Sequence, residues 1–257
     1  YGNTNTEDFG GGINFTYLAT PNLSFGLRGT YAEQRFKDVG DNTAGLTNST
    51  QAAGGVSVSY LFSPRTSMGL LVGGGHQTYE NSPDSNTLSG GFLFGYQFSP
   101  GFRLDAVAGV TYIQQSAGTG TPKESKSSPS GIFTFAYNSE TITATVYGSA
   151  VYTGGSGFGE ATRQGTVGFT FKDQFTTEWS WHLDGSYQIS KSVFVTDAVN
   201  INTIYGTAGM TYRAWDWASL DLTGYFNRQT STGQFGGDFT NYAATLGITL
   251  EKSYNIF

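Results

Sequence analysis

Few residues of this chain have types and spacings that could perform chemistry. Ser180, His182 and Asp184 alternate along one short stretch, and a serine, a histidine and an acid are the parts of an acyl-transfer triad. On a strand, however, residues two apart point side by side at about 6–7 Å, which is too far for a chain of direct hydrogen bonds. The other histidine, His76, has the opposite parity. No phosphate loop, zinc spacing or calcium loop is present, so we expect no enzymatic activity, no cofactor and no metal.

The element that must position these residues is a strand with a two-residue period. From 87 to 98 the large apolar residues Leu88, Phe92 and Phe94 alternate with small or polar ones such as Ser89 and Gln97. A period of two places the two sets on opposite faces of a strand. A strand that is large and apolar on one face, and small and polar on the other, suits a barrel that stands in lipid around a wet interior.

Composition points the same way. The 257 residues are enough for one all-β domain, and only 12% of them are charged, about half the usual share. Aromatic residues reach 16%, yet the mean hydropathy is −0.26 and no apolar run is long enough for a membrane-spanning helix. The net charge of −6 leaves no basic stripe for nucleic acid, and the absence of cysteine excludes disulfides and thiolate metal sites.

Alternation and turn signals together predict thirteen antiparallel strands. They are expected near 8–19, 23–36, 50–62, 66–79, 87–98, 102–115, 130–138, 141–153, 161–172, 177–189, 201–214, 218–230 and 239–251. Tight turns alternate strictly with longer polar connections, the longest at 116–129. The pattern predicts an all-β, up-and-down transmembrane β-barrel that forms a single domain over 1–257. Such barrels have short periplasmic turns and longer extracellular loops.

Aromatic residues form two rows at matched depths. One row precedes the tight turns and the other lies toward the far ends of the strands; we predict that both mark membrane interfaces. The first row is Tyr17, Tyr60, Tyr96, Tyr137, Phe171 and Tyr212, and the second is Tyr31, Tyr112, Tyr152, Tyr187, Phe226 and Tyr242.

Six charged residues have the parity of the polar face, and we interpret them as lumen candidates. They could tune solute selectivity at a constriction, or they could fill and brace a narrow lumen. They are Arg28, Arg103, Asp105, Lys172, Asp184 and Asp221.

The chain resembles bacterial outer-membrane β-barrels of the porin type over its whole length. Its hairpin repeats, such as Tyr60-Leu61-Phe62-Ser63-Pro64 and Tyr96-Gln97-Phe98-Ser99-Pro100, are also similar to porin-like barrels linked to exopolysaccharide export. The resemblance implies a channel for small hydrophilic solutes in the outer membrane. The alternatives are an exit component of a polysaccharide or other export system, and a non-conducting barrel that scaffolds a surface complex. It implies as partners outer-membrane lipid and lipopolysaccharide, the barrel-assembly machinery through Phe257, and other envelope proteins.

The topology carries one further expectation. The first tight turn, at 20–22, makes residues 1–7 an extracellular loop, whereas single-chain bacterial barrels have an even number of strands. We therefore expect 14 or more strands in the full protein, with one or more of them before Tyr1; the alternative is that one strand within this chain is missed or split in the count.

Overall fold

The computed structural model describes residues 5–37, 48–80, 82–116, 123–154, 161–194, 199–232 and 237–250. These residues form one sheet of thirteen antiparallel strands, whose order in the sheet is their order in the sequence. The predicted all-β, up-and-down architecture is thereby confirmed. The strands are β1 (Asn5–Leu18), β2 (Leu23–Lys37), β3 (Ser49–Ser63), β4 (Thr66–Tyr79), β5 (Ser85–Ser99), β6 (Phe102–Gln115), β7 (Glu124–Asn138), β8 (Ile142–Gly154), β9 (Ala161–Gln174), β10 (Trp179–Ser192), β11 (Asn200–Trp215), β12 (Ala218–Ser231) and β13 (Phe239–Leu250).

The strand bounds depart from the sequence predictions mainly at β7 and β1. β7 begins at Glu124, although its first six residues were predicted to be loop because they are polar and include Pro129. The edge of β6 supplies backbone partners for this segment, with Gln115 opposite Glu124. β1 begins at Asn5, so residues 5–7 belong to a strand and not to a loop. Phe257 lies outside the described residues.

The strand register aligns apolar residues with apolar residues, and polar residues with polar residues, on neighbouring strands of the sheet. Val58, Leu70, Phe92 and Ala108 lie opposite one another on four successive strands, and the residues that alternate with them are mostly small or polar. We call these two surfaces the apolar face and the polar face. Leu70 is 59% exposed, and only six hydrophobic residues in the described ranges are buried. The hydrophobic surface of this chain therefore points outward.

Short turns join the odd-numbered strands to the even-numbered ones at one end of the sheet, which we call the turn end. In three turns, a hydroxyl accepts a hydrogen bond from the N–H three positions on: Leu23 N–H to Thr20 (3.0 Å), Ile142 N–H to Ser139 (2.9 Å) and Trp179 N–H to Thr176 (3.0 Å). Hydrogen bonds from Thr177 and Thr176 lower the pKa of the Glu178 carboxyl. The opposite end carries the longer connections and is called the loop end.

Each of the repeated Tyr-x-Phe-Ser-Pro segments contains a β-bulge. The register shifts between Leu61 and Ser63 and again between Gln97 and Ser99, just before two tight turns. Each bulge turns a phenylalanine onto the preceding tyrosine, with ring centroids 4.9 Å apart for Tyr60–Phe62 and 4.7 Å apart for Tyr96–Phe98. Both pairs meet edge to face, the geometry that aromatic rings favour. The sequence repeat therefore corresponds to a bulge and an aromatic pair at the turn end of each hairpin.

The ladder ends at β1 and β13, and no pairing joins these two strands within the described residues. Both strands run from the loop end to the turn end, so that a direct ladder between them would be parallel. Among the residues that the structure describes, no helix is long and apolar enough to cross a membrane.

Candidate lumen site

Two open cavities that lie against the polar face share part of their wall. The larger has a volume of about 320 Å³ and lies between the loop-side halves of β2 to β8. The smaller, of about 270 Å³, lies toward the turn end between β3 and β7. Val107 and Ile132 line both cavities, and the two cavities therefore meet at this pair of side chains.

Arg28 supplies the charge of the larger cavity. Its Nε lies over Gly55 of the next strand, where an added Cβ would come within 3.3 Å of it. Glycine at position 55 therefore makes room for the guanidinium against the wall. Among the described residues, no carboxylate forms an ion pair with Arg28, and hydroxyl, amide and apolar side chains make up the rest of the lining.

Arg103 and Asp105 line the smaller cavity as a closed pair. Arg103 Nε donates to Asp105 Oδ2 at 2.6 Å and its Nη2 donates to Oδ1 at 2.9 Å. Residues two apart on a strand share a face, so the polar face brings the two side chains together. A two-point pair presents less net field to a passing ion than either charge would alone.

The other predicted lumen charges also lie on the polar face, where hydroxyls donate hydrogen bonds to the two carboxylates. Asp184 accepts from Thr207 at 2.9 Å, and Asp221 accepts from Thr211 at 2.7 Å and Thr249 at 3.2 Å. Lys172 stands opposite Thr143 on β8 and His182 on β10. The six charged residues are therefore spread over five strands and do not form one cluster.

The two histidines lie on opposite faces and contact different residues within the described part of the chain. His182 lies against Gly209 of β11, and the hydrogen-bond partner of Asp184 is Thr207. His76 Nδ1 lies 2.8 Å from Asn86 Oδ1, on the apolar face. No group of three metal-ligating side chains occurs among the residues that the structure describes.

The register places all twelve predicted girdle aromatics at apolar-face positions, as in the row from Leu88 to Tyr112. Tyr152 differs from the others in its contacts, since it packs against the buried cluster of Ile113, Ala161 and Val193. The turn end also carries tryptophans that the sequence analysis did not assign. Trp215 and Trp217 stack at 5.4 Å and are 62% and 54% exposed. Their position beside a tight turn was the signal that could have identified them.

No family model and no curated protein matches this chain. Solved structures do. The ferric yersiniabactin uptake receptor FyuA of Yersinia pestis aligns with a TM-score of 0.56 and 13% identity, over 95% of this chain and 46% of the receptor. The copper transporter OprC aligns with a TM-score of 0.60 and 8% identity, over 96% of this chain and 49% of the transporter. The chain thus spans about half the length of these two proteins. Its fold is that of the outer-membrane β-barrels.

Proposed function

We propose that this chain forms an outer-membrane channel for small hydrophilic solutes. The observation that carries the proposal is the composition of the polar face, which is mostly Ser, Thr, Gly and Gln on β3, β4, β5, β9 and β10. Small hydroxyl and glycine side chains leave space between opposite walls, and they offer hydrogen bonds to water without excluding it. The two cavities lie against this face.

The arrangement of charge supports selectivity as part of the function. Arg28 stands in the larger cavity without an ionic partner among the described residues, whereas Arg103 in the smaller cavity is neutralised by Asp105. A lone cation in a narrow, low-dielectric passage raises the local concentration of anions. We therefore expect the channel to favour anions at the level of Arg28.

Single-channel recording tests this proposal. The purified protein in planar bilayers should conduct, and Arg28→Gln should shift the reversal potential in a salt gradient toward cations. Arg228→Gln, the same substitution on the apolar face and outside both cavities, is the matched control and should leave the reversal potential in place. A folded barrel without measurable conductance would contradict the channel and leave the scaffold role.

The orientation and partners belong to the same proposal. We place the turn end in the periplasm and the loop end outside the cell, because short turns face the periplasm in such barrels. Outer-membrane lipid and lipopolysaccharide then contact the apolar face. The barrel-assembly machinery inserts the barrel into the outer membrane. The proposed activity is transport, not catalysis.

A further inference from the structure

The ladder between β7 and β8 is shorter than its neighbours. It runs from the turn end to Gly131 opposite Ala150 and stops there. The β6–β7 ladder continues along β7 to Glu124, and the β8–β9 ladder continues along β8 to Gly154. Residues 124–130 of β7 and 151–154 of β8 therefore have no ladder between them. We call this interruption the β7–β8 seam.

Pro129 explains where the seam begins. Asn138 N–H donates to Gly101 O on the β6 side, so the even-numbered residues of β7 turn their backbone groups toward β6 and the odd-numbered ones toward β8. Toward the loop end, the odd-numbered residue that follows Gly131 along the ladder is Pro129. It would lie opposite Tyr152 if the β7–β8 ladder continued in the same register. Proline has no N–H to donate, and within sheets it occurs where a strand lacks a partner on that side.

Two contacts show that the wall is displaced above this point. Tyr152 has apolar-face parity, yet it packs against the buried cluster that contains Ile113, a residue with polar-face parity that is 1% exposed. The Lys126 ammonium donates to the carbonyl of Val193 and lies 5.7 Å from the centre of the Phe194 ring. β7 and the end of β10 would be about 14 Å apart along a continuous wall, beyond the reach of a lysine. The loop ends of β8 to β10 therefore lie nearer to β6 and β7, on the polar face, than a continuous wall would allow.

The polar face beside the seam is unusually apolar. Leu93, Val107 and Ile132 stand opposite one another on β5, β6 and β7. This row lines the smaller cavity, and its last two members also line the larger one, which Val151 and Tyr152 border at the seam. The corresponding faces of β9 and β10 are built of Ser, Thr, Gln, Lys, His and Asp instead. An apolar track thus leads through both cavities to the seam.

We propose that the β7–β8 seam is a lateral opening through which small apolar molecules pass between the lumen and the surrounding lipid. Unpaired backbone at membrane depth is tolerated where it lines a water-filled cavity, and Ser130, Gly131 and Val151 at the seam line the larger cavity. This inference rests on the proposed function, because it requires a lumen that solutes can enter. Its test is separate, because apolar entry and ionic conductance are measured independently.

Engineered disulfides can close the seam after folding, since the chain has no cysteine of its own. Ser130 and Val151 are the first facing positions beyond the last pair, and they fall at a non-hydrogen-bonded site, where Cα atoms approach most closely. The matched control joins Thr166 to Gln188, an equivalent site in the complete β9–β10 ladder. Pro129→Val is a second way to close the seam, because it restores a donor toward β8.

The readout is entry of N-phenyl-1-naphthylamine, which fluoresces in lipid, into cells with an intact outer membrane. In Ser130→Cys/Val151→Cys cells, oxidation should reduce dye entry to the level of cells lacking the protein, and a reductant should restore it. Oxidation of Thr166→Cys/Gln188→Cys should not change dye entry, and Pro129→Val should lower it. Unchanged entry in the bridged seam variant, an equal loss in the control, or no protein-dependent entry would each overturn the proposal. Loss of conductance alone would contradict only the channel.

Discussion

At the scale of single residues, the face on which a side chain stands decides what substitution it tolerates. Phe94 lies on the apolar face in one register row with Met68 and Ala106. Thr134 lies on the polar face, opposite Asp105. The two positions are at nearly the same depth and both border the smaller cavity, but their side chains stand on opposite faces of the sheet.

We predict that Phe94→Arg impairs assembly, because a charge near the midplane of the lipid face costs about 2–4 kcal/mol. Thr134→Arg should assemble normally, since its charge meets water and the Asp105 carboxylate. The measurement is the folded fraction in lipid bilayers, read from the mobility shift of unheated barrel on a gel. Equal folding of both variants would refute the assignment of the two faces.

We also predict that neutralising Asp105 and Asp221 together shifts ion selectivity toward anions, because it removes two negative charges from the lumen and frees Arg103. Reversal potentials measured for Asp105→Asn/Asp221→Asn against the unchanged protein test this. Ser219→Ala, which touches Asp221 without changing charge, is the control. A shift toward cations would contradict the lumen assignment of these carboxylates.

At the scale of elements, glycines allow neighbouring strands to approach closely on the polar face. A Cβ on Gly109 would stand 2.2 Å from the carbonyl oxygen of Gly90 and 2.7 Å from the Cα of Gly91. The obstruction is backbone and cannot rotate away. Gly90, on the opposite face, has only one atom within reach of its Cβ, at 4.0 Å. The β5–β6 pair therefore requires glycine at position 109, whereas position 90 has room for a larger side chain.

Gly109→Ala should destabilise the folded barrel by about 1–3 kcal/mol, the usual cost of forcing atoms into a packed site. Gly90→Ala should have little effect. Urea unfolding in lipid vesicles, followed by tryptophan fluorescence, compares the two midpoints. Equal midpoints would contradict the close approach at Gly109.

At the scale of the whole molecule, the strict alternation of short turns and long connections gives the sheet two different ends. The turn end carries aromatic clusters such as Trp179 with Tyr212, whose rings are 4.5 Å apart. The loop end carries the cluster of Ile113, Ala161 and Val193 and the seam. The two ends therefore differ in packing as well as in the lengths of their connections.

An epitope inserted in the β6–β7 connection should bind antibody on intact cells, because we place the loop end outside. The same epitope in the tight turn at 100–101 should bind only after the outer membrane is permeabilised. Both insertions leave the thirteen strands untouched, and a gel shift confirms folding. The reverse pattern of labelling would invert the proposed orientation.

The sequence by itself determined the strands, their antiparallel order and the two faces, because a two-residue period is local and shows in every strand. It also identified the polar-face charges, though not the closure of Arg103 by Asp105 or the hydroxyls around Asp221. Only the tertiary structure decided where the wall is continuous. Residues 124–129 have the polar composition of a loop, but pairing with β6 makes them part of a strand. The seam depends on which neighbouring strand Pro129 faces, and the position of Tyr152 depends on the displacement of β8. Both are relations between strands, and no local sequence pattern encodes them.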